Sequence, residues 1–121
     1  MTVEPDKRSD NRKAQLKKGV VDMALLALLQ KRPRYGLELL EDLNGEGGLD
    51  VAEGTIYPLL HRLEAAGDVE ARWQTETENR RPRKYYALTE SGREQLAGMV
   101  RNWIETRDRI DNLIRKARDD E

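Results

Sequence analysis

The 121-residue chain has no cysteine, no phenylalanine and a single histidine, and only two tryptophans and four tyrosines. Without cysteine it can build no disulfide framework, thiol nucleophile or thiolate metal site. One histidine, with no carboxylates placed beside it in any motif, supplies neither a zinc ligand set nor a catalytic triad. A glycine-rich phosphate loop is also missing, because Gly45, Gly47 and Gly48 close a helical segment instead of opening one. Long apolar runs are lacking too. The longest, residues 20–29, is interrupted by Asp22 and reaches about half the length of a membrane span. Residues 1–18 are charged and have no apolar centre, so they do not read as a secretory signal. These absences point away from an enzyme and from the membrane. The expectation is a cytoplasmic protein that needs no metal or cofactor.

Net charge is nearly absent as well. Twenty-two Lys and Arg face 23 Asp and Glu, a formal charge of −1. That balance is unusual for a nucleic-acid binder, but the distribution of charge decides the matter more than its sum. Basic residues gather in two places: Lys7, Arg8, Arg12, Lys13, Lys17 and Lys18, and then Arg80, Arg81, Arg83 and Lys84. Acidic residues concentrate elsewhere, around residues 38–46 and in Asp119, Asp120 and Glu121. Hydrophobic and charged residues each make up 37% of the chain, which leaves a lean core. A domain this lean gains stability by burying apolar area against a second copy of itself.

The order of periodicities predicts the fold. Residues 1–15 are polar, carry Pro5 and show no period, and read as a mobile arm whose end can join the first helix. A helix is predicted over 16–31, with Leu16, Val20, Met23 or Ala24, Ala27 and Leu28 on one face and Pro33 ending it. A second helix over 35–43 turns Leu39, Leu40 and Leu43 inward, and residues 49–51 suit a short extended segment. A third helix reaches Ala66 and is capped by Gly67, with the stripe Ile56, Leu59, Leu60 and Leu63. Pro58 allows two starts for it: an N-cap at Thr55, or a start near Ala52 that sacrifices the bond to the Gly54 carbonyl.

The period then changes to two. Val69, Ala71 and Trp73 alternate with polar residues as in a half-buried strand, and 84–88 form a second strand beyond a long basic tip. Trp73 is expected to pack on that strand. A last helix starts at Thr89 or at Ser91, where Ser91 and Glu94 could form a capping box. It carries Leu96, Met99, Trp103, Thr106, Ile110, Leu113 and Ala117 at heptad spacing, a seam that needs a partner. The predicted fold is mainly α with a small β-hairpin wing: a winged helix-turn-helix over 16–88, then a long C-terminal dimerisation helix over 89–121.

Several motifs resemble those of PadR-family transcriptional regulators. They are Tyr35-Gly36, then Gly54-Thr55-Ile56-Tyr57-Pro58-Leu59-Leu60 with Arg62-Leu63-Glu64 and Gly67, then Arg83-Lys84-Tyr85-Tyr86, and Leu88-Thr89-Glu90-Ser91-Gly92. The match covers roughly residues 16–117, and four motifs in order are far more specific than one. The resemblance implies a homodimeric DNA-binding repressor of the short subfamily, with one helix after the wing. It further implies dimerisation through the first and last helices and release by a small aromatic ligand. A tryptophan of the last helix lines a central pore in one branch of the family, and Trp103 stands at the corresponding spacing. The family's wing carries glycine where this chain has Asn79-Arg80-Arg81-Pro82, so the charge of the tip carries over but its shape does not.

The expected site follows. Thr55, Tyr57, His61 and Arg62 are the polar residues of the third helix, suited to phosphates and base edges. Arg80, Arg81, Arg83 and Lys84 make a basic wing, with few acids beside them, for backbone phosphates. Lys17, Lys18 and Tyr35 stand at predicted helix starts, where backbone amides favour phosphate. Leu96, Met99, Trp103, Ile110 and Leu113 form the expected dimer interface, and Trp103 is the candidate effector contact. The partner expected is an operator in duplex DNA, an imperfect inverted repeat. The alternative for these polar residues is an ordinary solvated surface, and an acidic protein is the alternative partner for a basic wing.

Overall fold

In a computed structural model that describes residues 7–75 and 81–119, five helices and three strands follow one another among the described residues. They are α1 (Lys7–Lys18), α2 (Val21–Lys31), β1 (Arg34–Tyr35), α3 (Gly36–Asn44), α4 (Glu53–Ala65), β2 (Val69–Thr75), β3 (Pro82–Leu88) and α5 (Glu90–Asp119). The strands form one antiparallel sheet in the order β1-β3-β2. This is the winged-helix arrangement that the change of period predicts.

The core comes from four helices and the sheet. Leu25, Leu26 and Leu29 of α2, Leu39 and Leu43 of α3, and Ile56, Leu60 and Leu63 of α4 are all buried, with Val69, Tyr86 and Leu96 closing the cluster. The α4 stripe is the one its sequence predicts. Its start is the earlier of the two: Ala52 is the N-cap, Glu53 the first helical residue, and Pro58 lies inside the helix. Past Ala65, Gly67 takes φ +82°, a backbone shape that costs glycine nothing, and Asp68 N–H returns to the Leu63 carbonyl at 3.0 Å.

The first helical region differs from its prediction. Helix begins at Lys7, within the expected arm, and the run over 16–31 is broken at Gly19–Val20 into α1 and α2. The buried face of α2 is Val21, Leu25, Leu26 and Leu29, while Ala27 is exposed and Leu16 is 71% exposed. Glycine at the break removes helix propensity, and each segment then turns its own face to its neighbours. Lys17 and Lys18 consequently occupy the last turn of α1, not a helix start. The dipole there favours the lysines themselves and gives no amide cradle to a phosphate.

Residues 49–51 form no strand. Instead the Asn44 side chain clamps Val51, donating to its carbonyl at 2.8 Å and accepting from its N–H at 2.6 Å. Strand β1, two residues long, gives no periodic signal. It sets Arg34 opposite Tyr86 and Tyr35 opposite Tyr85. Arg34 is buried and donates to Asp42 of α3. Arg32 donates to Glu38 at 2.6 Å, which holds that carboxyl below its usual range.

At the head of α5, Thr89 is the cap and Ser91 lies inside the helix. The Thr89 Oγ accepts from Gly92 N–H at 2.9 Å and donates to the Gly67 carbonyl at 2.6 Å. One hydroxyl thus joins the start of the long helix to the end of α4. Leu96 is 3% exposed, sealed in the protomer's own core. It has no surface left for a second copy, and this corrects its place in the predicted seam.

Candidate nucleic-acid interface

Helix α4 buries its leucine stripe and turns Thr55, Tyr57, His61 and Arg62 outward; all four are exposed. The short reach of glycine matters next to one of them. A Cβ on Gly36 would come within 2.7 Å of the Tyr57 ring, so the start of α3 and the Tyr57 face of α4 pack without a side chain between them. The Tyr35-Gly36 pair therefore fixes how closely these two helices approach.

Between α1 and the start of α4 lies an open groove of about 1020 Å³, whose walls include Lys13, Lys17, Lys18, Thr55 and Arg62. Four of the predicted DNA residues (Lys17, Lys18, Thr55 and Arg62) thus meet around one space. Lys13 joins them from the basic cluster of the first helix. Arg62 is not idle there. Its guanidinium donates to both carboxylate oxygens of Asp22, at 3.0 and 3.2 Å, and so ties α4 to the first turn of α2. Asp22 is a site residue that the sequence reading passed over, although an acid inside an apolar run was its signal.

The wing is less uniformly bare than its sequence suggests. Arg83 lies 4.5 Å over the Tyr35 ring, and Tyr35 meets Tyr85 edge to face at 5.5 Å. Lys84 pairs with Glu64 of α4 at 3.6 Å and sits 5.5 Å from the Tyr86 ring. These contacts brace β3 against β1 and α4, while Arg81 is exposed. Arg80 and Asn79, and with them the shape of the tip, lie outside the described residues. Trp73 does not pack as expected: it is 68% exposed, because β2 runs past the body after Ala71.

Helix α5 leaves the body after Val100. Residues 101–119 are exposed throughout, including Trp103, Ile104, Ile110, Leu113 and Ile114. Met99, by contrast, is half-buried against the core. A second cavity of about 420 Å³ opens where the α1–α2 break faces α5, lined by Asp22, Met23, Met99, Asn102, Trp103 and others. Asp22 thus borders this cavity while its carboxylate holds Arg62. Among the described residues, no helix is long and apolar enough to cross a membrane.

Comparison with known proteins agrees with this geometry. The family model described as "Transcriptional regulator PadR-like family" matches residues 25–98. A PadR-like transcriptional regulator from Bacillus cereus is 34% identical, with a TM-score of 0.75, over 83% of this chain and 96% of its own. A PadR family transcriptional regulator from Eggerthella lenta is 29% identical, with a TM-score of 0.79, over 90% of this chain and 94% of its own. An uncharacterised protein from Lysinibacillus sphaericus is 29% identical over 96 residues, 78% of this chain and 87% of its own.

Proposed function

This chain belongs to the PadR-like family of transcriptional regulators, and we propose that it acts as a homodimeric repressor released by a small aromatic ligand. That it is a DNA-binding regulator and not an enzyme follows from the family. The observation that carries the finer reading is the orientation of α4. Its leucines anchor it in the core while Thr55 and Arg62 face the groove that Lys17 and Lys18 also line, and Tyr57 and His61 are exposed. In this reading α4 enters the major groove, and the wing follows the flanking backbone.

Dimerisation is supported by the apolar face of α5. Five large hydrophobic side chains on an exposed helix are costly in water, and a second copy would cover them. Two-fold symmetry then asks for an inverted repeat with half-sites about one helical turn apart. Trp103, 40% exposed at the edge of the smaller cavity, is suited to stack on a planar apolar ligand. A ligand there would also lie beside Asp22, and so one ion pair away from α4.

Selection from random duplexes tests the proposal: it should return an imperfect inverted repeat, and recovery of no shared sequence would contradict it. Wing phosphate contact has its own test. Arg81 is exposed, so Arg81→Ala should leave the thermal midpoint in place. It should also lower the slope of log K against log salt by about one unit, equally for all sequences. An unchanged slope would remove Arg81 from the interface.

A further inference from the structure

We propose that Trp73 is a DNA contact, lying against the sugar edge of the backbone that separates the groove entered by α4 from the groove met by the wing. The inference rests on the DNA-binding reading above and adds to it a residue that neither the motifs nor the wing's basic charge supply.

Trp73 is one of two tryptophans in the chain, and 68% of it is in solvent. Nothing in β2 obliges a large aromatic there, since the strand has passed the core after Ala71. Placement comes from the register of the hairpin. Trp73 is opposite Lys84, two pairs beyond Ala71 and Tyr86 and so on the same face. Directly opposed residues of an antiparallel pair share a face. Tyr86 is buried, and Lys84 reaches Glu64 of α4, so this face is the one turned toward the recognition helix. Trp73 therefore stands in the angle between wing and helix.

Charge along the wing favours a polyanion. Among the described residues, Lys84 stands opposite Trp73, paired with Glu64, and Arg81 is exposed nearer the tip. A helix in one groove and a wing at the next leave the intervening sugar–phosphate strand between them. Phosphates attract the cations, and the deoxyribose edge offers the apolar surface that an indole covers well. Such contact is blind to base identity, so it should add affinity rather than specificity.

The test uses the full-length dimer and the duplex recovered by selection, with Trp103→Phe making Trp73 the sole tryptophan. Adding duplex should change Trp73 emission, and in the wild-type background Trp73→Ala should weaken binding by about tenfold on selected and scrambled duplexes alike. Trp73→Phe should recover most of that loss, with the thermal midpoint and the dimer constant unmoved. Unchanged emission, or a loss below about twofold, would overturn the assignment. A shifted dimer constant would do so as well, because it would place Trp73 between protomers. If the unsubstituted protein itself binds no duplex, the DNA-binding reading falls, and this inference with it.

Discussion

Leu113→Asp is expected to turn the protein into monomers and to remove operator binding with the same stroke. Leu113 is 66% exposed on the outer half of α5, in line with Trp103 and Ile110. In a dimer the symmetry axis repeats the substitution, so two carboxylates enter one apolar seam. Charges buried there without partners weaken the interface by about 4 kcal/mol in total, roughly a thousandfold in the dimer dissociation constant. A monomer grips one half-site only, and its affinity for the inverted repeat should collapse. Sedimentation shows the first effect and gel shift the second. Asp108→Ala, on a helix position outside the seam, should alter neither. A Leu113→Asp protein that stayed dimeric would move the interface elsewhere; one that was monomeric yet held the full operator tightly would remove dimerisation from the mechanism.

Gly92→Ala should be the most destabilising small substitution at the joint between wing and long helix. A Cβ at residue 92 would come within 2.0 Å of the Asp68 carbonyl oxygen and 2.7 Å of a Leu88 methyl. That carbonyl cannot retreat easily, because it accepts the Thr89 N–H at 3.1 Å, and Thr89 in turn caps α5. Relieving the clash means parting α5 from the turn after α4, at a cost of roughly 3 kcal/mol. For a domain this size the thermal midpoint should fall by more than about 10 °C. Gly98→Ala is the control: its Cβ would meet only the end of Arg101 at 3.8 Å. In a helix interior that change should stabilise by up to about 1 kcal/mol. Equal midpoints for the two variants would mean that the contact at Gly92 is not tight.

Much of the fold is legible in the residues because several signals agree at the same places. The α4 stripe repeats at the helical period, Gly67 ends it with a positive φ, and the next residues alternate at period two. Where the reading failed, a single weak signal was asked to decide. The break at Gly19 is one, since a lone glycine costs a helix only about 1 kcal/mol and two overlapping apolar stripes hid the change of face. Strand β1 is too short to carry a period at all. Buried Arg34 looks like any surface arginine until α3 brings Asp42 to it.

The candidate site was legible in kind and less so in detail. Polar residues of α4 and the wing were found from pattern and motif, but their internal partners were not. Arg62 is shared with Asp22, Lys84 with Glu64, and Arg83 with the Tyr35 ring. Each pairing joins elements distant in sequence, so no local pattern announces it. Leu96 and Trp73 exchanged their expected environments for a related reason. Heptad spacing and strand alternation say which face a residue takes, but not where along the element the body ends.

The most direct test of the account is competition between the DNA upstream of this protein's own gene and random duplex, at physiological salt. A regulator that controls its own expression would bind this fragment, which makes it a practical first probe. The account predicts binding to that fragment that random duplex displaces only at large excess, with protection of two symmetric half-sites. Equal displacement by random and upstream DNA, with no inverted repeat recovered by selection from random duplexes, would contradict it. The basic wing would then be left to an acidic protein partner.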